Sequence, residues 1–255
     1  MKTLSLALAL AIAMFSGKMG FGASSPPCRQ TLSDCPLRGC AKANTPDALS
    51  NRLKHNREPE GGLVMLDFSD FAALQNQVET LFSGHYATLT KPDRARLQNL
   101  QTSHGTVSEG DLVAVTGFVA LKPAGSEPHA NTGGESVNCR IKGTDNNDFH
   151  ISITANSGES EFQGIVVEMI PQARNADWTT ARLHKAQTEN RRVRIQGQLF
   201  FDNHHRVNKD AQHPVGKQPK RFSLWEIHPI TAFEVCTQSQ CSDNSPAWKA
   251  LDQWQ

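Results

Sequence analysis

The sequence lacks the short motifs that identify the best-known catalytic sites. It contains no GxSxG, no phosphate-binding loop, no GxGxxG and no HExxH. These absences argue against a serine-hydrolase nucleophile elbow, a P-loop, a dinucleotide-binding Rossmann motif and a zinc-protease helix. No reaction can therefore be named from a motif.

The chain also has no surplus of basic residues, and beyond residue 15 it has no apolar run that resembles a membrane helix. Residues 4–15, LSLALALAIAMF, follow Lys2 and are too short to span a membrane comfortably. We therefore expect a signal peptide over 1–23, cleaved near Ala23, and a periplasmic or secreted protein without a membrane span. Cleavage would leave 24 basic and 25 acidic residues, a balance that argues against a general polyanion-binding protein.

All six cysteines lie outside the signal peptide, and an exported protein is expected to pair them. Cys236 and Cys241 are close enough to close a small loop, so we predict a disulfide between them. The cysteines for which spacing selects no pairing are Cys28, Cys35, Cys40 and Cys139. A zinc knuckle at the first three is an alternative, although their spacing is wider than the usual short pair.

Composition and hydrophobic periodicity divide the mature chain into four regions. They are an irregular cysteine-bearing arm over 24–62, a helical segment over 63–108, an OB-like β domain over 109–236 and a polar tail over 237–255. In the helical segment, apolar residues recur at spacings of three and four over 67–83, which predicts a helix capped by Asp67 or Ser69. A second helix is expected from Pro92 to Leu100.

From residue 109 the apolar pattern changes to period two, which is typical of strands. The predicted strands cover 111–123, 148–155, 164–171, 191–202 and 223–236. The longer connection, with a helical or irregular segment, lies between the third and fourth strands, and Gly117 marks a bend in the first strand. We therefore predict a mainly β fold, a five-stranded OB-like barrel preceded by a short helical segment. A different small antiparallel domain, such as a sandwich fragment, is the alternative.

Alternation along these strands collects acids and histidines on one side. Successive side chains point to opposite faces, so His150 lies opposite Phe149 and Ile151, and His228 lies opposite Ile227. The residues that we predict to bind a ligand are Asp148, His150, Glu168, Asp202, His204, Trp225, Glu226 and His228. In an OB-like order we expect the first strand to neighbour the second and the fifth to close against the first.

Carboxylates and imidazoles form a usable ligand set for zinc or another divalent metal. Within the predicted site we assign the metal ligands to His150, His204, Glu226 and His228. The same groups could serve as an acid–base pair, because histidine titrates near neutrality. In a third interpretation, the buried acids and histidines satisfy one another and have only a structural role.

Four segments carry a resemblance to a known family: GGESVNC, DFHISI, GQLFFDNHH and SLWEIHPIT. In these segments the chain resembles an uncharacterised family of exported bacterial proteins with an OB-like β core. The resemblance covers roughly residues 110–236, and its most specific part is the Trp-Glu-Ile-His-Pro motif at Trp225–Pro229. Relatives carry a second cysteine where this chain has Val137, and that departure weakens the case for a local pair involving Cys139.

Three functions are compatible with these patterns. The first is an exported OB-like binding module that holds a small ligand or divalent metal at the acid–histidine cluster. The second is a metal-dependent hydrolase, with phosphodiesters as one possible substrate. The third, nucleic-acid binding, is disfavoured because the second and third strands offer only Phe149 as a stacking aromatic, and alternation places it on the apolar face.

Overall fold

The computed structural model describes residues 25–121, 128–208 and 220–255. The predicted signal peptide lies outside these residues. The helices are α1 (Pro46–Lys54), α2 (Phe68–Phe82), α3 (Lys91–Arg94) and α4 (Thr180–Thr188). The strands are β1 (Glu60–Leu66), β2 (Leu100–Thr102), β3 (Gly105–Val107), β4 (Asp111–Val119), β5 (His129–Ala130), β6 (Phe149–Thr154), β7 (Ile165–Met169), β8 (Arg192–Phe201), β9 (Trp225–Cys236) and β10 (Trp248–Ala250).

Five strands close into a mixed barrel, which confirms the predicted mainly β fold and five-stranded barrel. Around the barrel the order is β4, β6, β7, β9, β8 and back to β4. The β7–β9 pair is parallel, whereas the other four contacts are antiparallel. The expectation that the fifth strand closes against the first was wrong, because β8 occupies that position beside β4. The fifth strand, β9, instead lies between β8 and β7.

The barrel interior is filled by the apolar side chains that alternation predicted. Ile151, Val167, Ile195 and Ile227 are fully buried in one core cluster, to which every barrel strand contributes. Gly117 allows β4 to approach β6 closely, because a Cβ atom there would lie 2.4 Å from the carbonyl oxygen of Thr154. The predicted bend at this glycine therefore coincides with the contact that closes the barrel.

The first predicted helix is confirmed, but the second is shorter than expected. Helix α2 begins after Asp67, whose side chain caps it in a reciprocal capping box with Asp70. Helix α3 ends at Arg94 instead of Leu100, and the chain turns through a left-handed backbone conformation at Asn99. Leu100 then begins β2, so the last residue of the predicted helix belongs to a strand instead.

The arm and the tail contain more regular structure than their composition predicts. The arm includes α1, which Thr45 caps at its N-terminus, and the beginning of β1, which runs parallel to β4. The tail includes β10, which pairs with β9, and it buries Trp248 and Trp254. Both regions fold because they pack against the barrel.

All six cysteines are paired, and the predicted Cys236–Cys241 disulfide is present. The remaining pairs are Cys28–Cys40 and Cys35–Cys139. Three disulfides are typical of an oxidising, non-cytoplasmic compartment. Among the described residues, no helix is both long enough and apolar enough to cross a membrane.

Candidate metal centre

The acids and histidines of β6, β7 and β9 meet on the outer wall of the barrel. His150 stands directly opposite Glu168 in the antiparallel β6–β7 pair. The parallel β7–β9 pair sets Val167 beside Ile227, so the next residue on each strand, Glu168 and His228, is also adjacent. Because Val167 and Ile227 point into the core, alternation directs Glu168 and His228 outward.

His228 is completely buried among three carboxylates. Its Nδ1 atom lies 3.1 Å from Glu168 Oε2 and 3.5 Å from Glu226 Oε2, and its Nε2 atom lies 3.6 Å from Asp148 Oδ2. Asp148 is fixed by Asn138, whose side-chain amide donates to Oδ1 over 2.9 Å. The Phe200 ring packs at 5.6 Å from the imidazole and closes another side.

A second group shares Glu168 and lies closer to solvent. His150 Nε2 lies 3.2 Å from Glu168 Oε1 and 3.5 Å from Glu135 Oε1. The side chain of His150 is 21% exposed, whereas that of Glu168 is 2% exposed. The two oxygens of one buried carboxylate therefore face two different histidines. Each of the sets Asp148–Glu168–His228 and Glu135–His150–Glu168 brings its ligand atoms within 4.8 Å of one another.

Several polar atoms of the buried group around His228 lie close together without forming hydrogen bonds. Within the described part of the chain, five of its buried side-chain atoms have no hydrogen-bond partner. They are Asp148 Oδ2, Glu168 Oε2, Glu226 Oε2 and both ring nitrogens of His228. Buried polar atoms are normally paired, so this concentration at one point is unusual for a purely structural network.

Burial and neighbouring charges shift the pKa values of these groups in different directions. Burial opposes protonation of His228, but the negative charge of Glu168 outweighs it and raises the pKa of His228 to about 10. Burial also opposes protonation of His150, but the negative charge of Glu168 outweighs it and raises the pKa of His150 to about 9. Burial raises the pKa of Asp148 to about 7, and the charge of Glu135 adds to the rise. Although burial opposes its ionisation, both histidines hold the pKa of Glu168 well below its usual range.

An ion-pair group adjoins the metal-ligand sets. Arg221 contacts Glu226 and lies 3.5 Å from Asp202 Oδ2, while His205 Nδ1 contacts the same Asp202 oxygen. Burial opposes ionisation of Asp202, but nearby positive charge, that of Lys54 first, lowers its pKa well below the usual range. Asp202 therefore serves as a fixed counter-ion for basic side chains.

Two of the predicted ligand-binding residues lie outside the cluster. His204 is exposed, and its backbone N–H, not its ring, donates to Asp202 Oδ1 over 3.0 Å. His204 is consequently absent from both sets of possible metal ligands. Trp225 is fully buried in the core, where its ring lies 5.2 Å from that of Phe201. The structure does not bring these two residues into the cluster, because a turn redirects His204 and alternation turns Trp225 inward.

Sequence reasoning missed Glu135 and Lys54. Glu135 lies in GGESVNC, one of the segments that carries the family resemblance, so a signal for it was present. Lys54 ends α1, where nothing in the local sequence relates it to the barrel. Burial alone would lower the pKa of Lys54, but Asp202, Glu168 and Glu226 raise it.

The N-terminal arm covers the cluster and is held there covalently. Gln198 of β8 connects the two layers, because its amide nitrogen donates over 2.8 Å both to the His228 carbonyl and to the Leu53 carbonyl of α1. The Cys35–Cys139 disulfide ties the arm to the loop that carries Glu135. The cluster is thus enclosed between the barrel wall and the arm.

Comparisons with family models, curated proteins and solved structures find no match to this chain. The chemistry of the site must therefore be argued from its own atoms. One imidazole with two carboxylates is a donor set that suits zinc, and Glu168 offers one oxygen to each of two such sets.

Proposed function

We propose that this protein binds a divalent metal ion, with zinc as the best match to the donors, at Asp148, Glu168 and His228. The proposal rests on the oxygen and nitrogen atoms that these side chains bury at one point, in contact with one another but without hydrogen bonds. Leaving such a group unpaired costs about 1–3 kcal/mol, and an ion would give the carboxylate oxygens and one ring nitrogen a partner. Two of the three residues, Asp148 and Glu168, were predicted as ligand-binding rather than metal-binding residues.

The spacing of the donor atoms supports the same interpretation. Ligands about 2.0–2.2 Å from an ion lie roughly 2.8–3.1 Å from each other in octahedral and roughly 3.3–3.6 Å in tetrahedral geometry. Glu168 Oε2 lies 3.1 Å from His228 Nδ1, and Asp148 Oδ2 lies 3.6 Å from the other ring nitrogen, Nε2, so each carboxylate is within this range of one nitrogen. One ion can use only one of the two nitrogens, and one ligand atom from each of the three residues lies within 4.8 Å of the other two.

Metal-dependent hydrolysis is the second candidate function. It is favoured by the sharing of Glu168, because one bridging carboxylate could hold two ions about 3.5–4 Å apart, as in two-metal hydrolytic sites that act on phosphodiesters. His150 is partly exposed and would give a substrate access to the second ion. The buried set would then have a supporting role.

We further propose that the protein works in the periplasm or outside the cell. The signal-like N-terminus and the complete pairing of the cysteines support this location. Membership of the exported family that the sequence resembles remains part of the same proposal.

The direct test is to load the purified mature protein with zinc, remove unbound zinc and measure the bound metal by elemental analysis. We expect about one tightly bound zinc ion per chain and a stabilisation of about 4 kcal/mol when free zinc is 1,000-fold above Kd. The change His228→Ala should abolish both effects, since it removes the buried nitrogen ligand.

The matched control is His184→Ala on α4, which is distant in sequence from the site and contacts Gln187. This variant should keep wild-type zinc content and stabilisation. If the wild-type protein takes up no zinc, or if His228→Ala retains it, the cluster is a buried ion-pair network and the proposed function is wrong.

A further inference from the structure

A small cleft opens beside the partly exposed His150. It has a volume of about 130 Å³ and lies between β5–β7 and the loop that precedes β9. Its lining residues are His129, His150, Ser152, Val166, His205, Lys220 and Arg221. Five of these seven side chains carry nitrogen atoms able to donate hydrogen bonds, and none of the described lining residues is acidic. We propose that this cleft binds a phosphoryl-type oxyanion next to the metal cluster.

The basic groups are held in place by acids that lie behind them. Arg221 and His205 are both anchored by Asp202, and Lys220 Nζ lies 3.9 Å from Glu161 Oε2. Because Asp202 contacts His205 through Nδ1, the opposite ring nitrogen, Nε2, is directed away from that carboxylate. Anchored donors require little reordering when an anion binds, which favours recognition.

The shape and composition of the cleft limit the class of ligand. Pockets for drug-sized ligands usually enclose about 300–1,000 Å³, so this cleft suits one small group rather than a whole nucleotide. Val166 is the single apolar residue among the described residues that line it, and arginine with lysine is a common combination for oxyanions such as phosphate. An apolar or cationic ligand would find few complementary contacts here.

His150 connects the cleft to the cluster. Its Nε2 atom faces Glu168 and Glu135, while its Nδ1 atom is buried without a hydrogen-bond partner in the described part of the chain. The inference rests on the proposed metal function, because an ion held by Asp148, Glu168 and His228 would place positive charge behind Glu168, the carboxylate that faces His150.

The test is calorimetric titration of inorganic phosphate into zinc-loaded and zinc-free protein, with acetate as the comparison anion. We expect zinc-loaded wild type to bind phosphate at least about tenfold more tightly than acetate, and Lys220→Gln to weaken phosphate binding about tenfold. Zinc content should not change in that variant. Lys185→Gln, which removes a lysine paired with Glu189 at 3.7 Å on α4, is the matched control and should bind phosphate normally.

The outcomes separate the anion site from the metal site. Normal zinc uptake with no phosphate binding, or with equal binding by Lys220→Gln and wild type, overturns the anion site alone. Equal affinity for acetate overturns the phosphoryl assignment. If no zinc binds, the metal proposal fails. Phosphate binding to the zinc-free protein that Lys220→Gln weakens would then still support the cleft. If the zinc-free protein binds no phosphate, the cleft proposal is overturned as well.

Discussion

Two buried acids paired with histidines lie in different parts of this molecule, and they behave in opposite ways. Asp70 of α2 contacts His104 Nδ1 over 2.7 Å. Each of its oxygens accepts two hydrogen bonds, one from the Asp67 N–H and the others from Ser103 and His104. These bonds outweigh the effect of burial and lower the pKa of Asp70.

Asp148 is equally buried, but one of its oxygens lacks a hydrogen-bond partner and burial raises its pKa to about 7. The Asp70 group is a closed network that joins the start of α2 to the turn between β2 and β3. The His228 group joins β6, β7, β9 and the loop before β6. An acid beside a histidine is thus uninformative by itself; the pairing of its remaining atoms distinguishes a structural cap from a candidate ligand site.

Removing the Cys35–Cys139 disulfide should have the largest effect and should affect only the His228 group. The bond closes a separation of 104 residues, for which chain entropy predicts a loss of about 5 kcal/mol when both cysteines become serine. Zinc affinity should fall as well, because the bond anchors the loop that bears Asn138, whose side chain fixes the ligand Asp148. Urea unfolding and zinc titration measure the two effects.

The paired control replaces Cys236 and Cys241 by serine, where a separation of only 5 residues predicts about 2 kcal/mol and unchanged zinc affinity. Equal loss of zinc affinity in both double variants would mean that the arm does not organise the cluster.

The pH dependence of stability in metal-free protein should show the two groups at opposite ends of the scale. His228 and His150 have folded-state pKa values of about 10 and about 9, above the ordinary 6.5, so their contribution is complete below pH 6.5 and is lost as pH rises to about 10. The slope is about 1.4 kcal/mol per pH unit for each histidine, or about 3 kcal/mol between pH 7 and 9 for His228 alone.

Asp70 has a lowered pKa, so its contribution is present above its unfolded-state pKa and is lost as the solution is acidified. Urea midpoints measured with a chelator present should show both limbs. His228→Gln should flatten the alkaline limb, and Asp70→Asn should flatten the acid limb. An alkaline limb that persists unchanged in His228→Gln would contradict the charge assignment.

Replacing single histidines by alanine should give the smallest difference in stability between the two groups. In metal-free protein at pH 7, His228→Ala should cost about 1–3 kcal/mol because it removes the positive charge that faces the buried carboxylate of Glu168. His104→Ala should cost less than about 1 kcal/mol, since the His104 side chain is 45% exposed. We expect His150→Ala to have a cost between these two, and thermal unfolding of all three variants tests this order. Equal costs would remove the energetic distinction between the groups.

The sequence by itself determined part of the local structure of this protein, namely the barrel strands, helix α2 and one disulfide. Period-two patterning located the five barrel strands, the spacing of apolar residues located α2, and a short spacing identified Cys236–Cys241. Alternation also placed His150 and His228 on the face opposite the core. Each of these inferences depends on residues within one element, whose geometry is fixed by backbone periodicity.

Only the tertiary structure decided which elements meet. The parallel β7–β9 pair brings Glu168 to His228, and the arm brings Lys54 over the barrel wall. The turn after β8 leaves His204 exposed, while the core takes Trp225. Strand order and the packing of a covering arm depend on contacts between residues far apart in the chain, and local periodicity carries no information about those contacts.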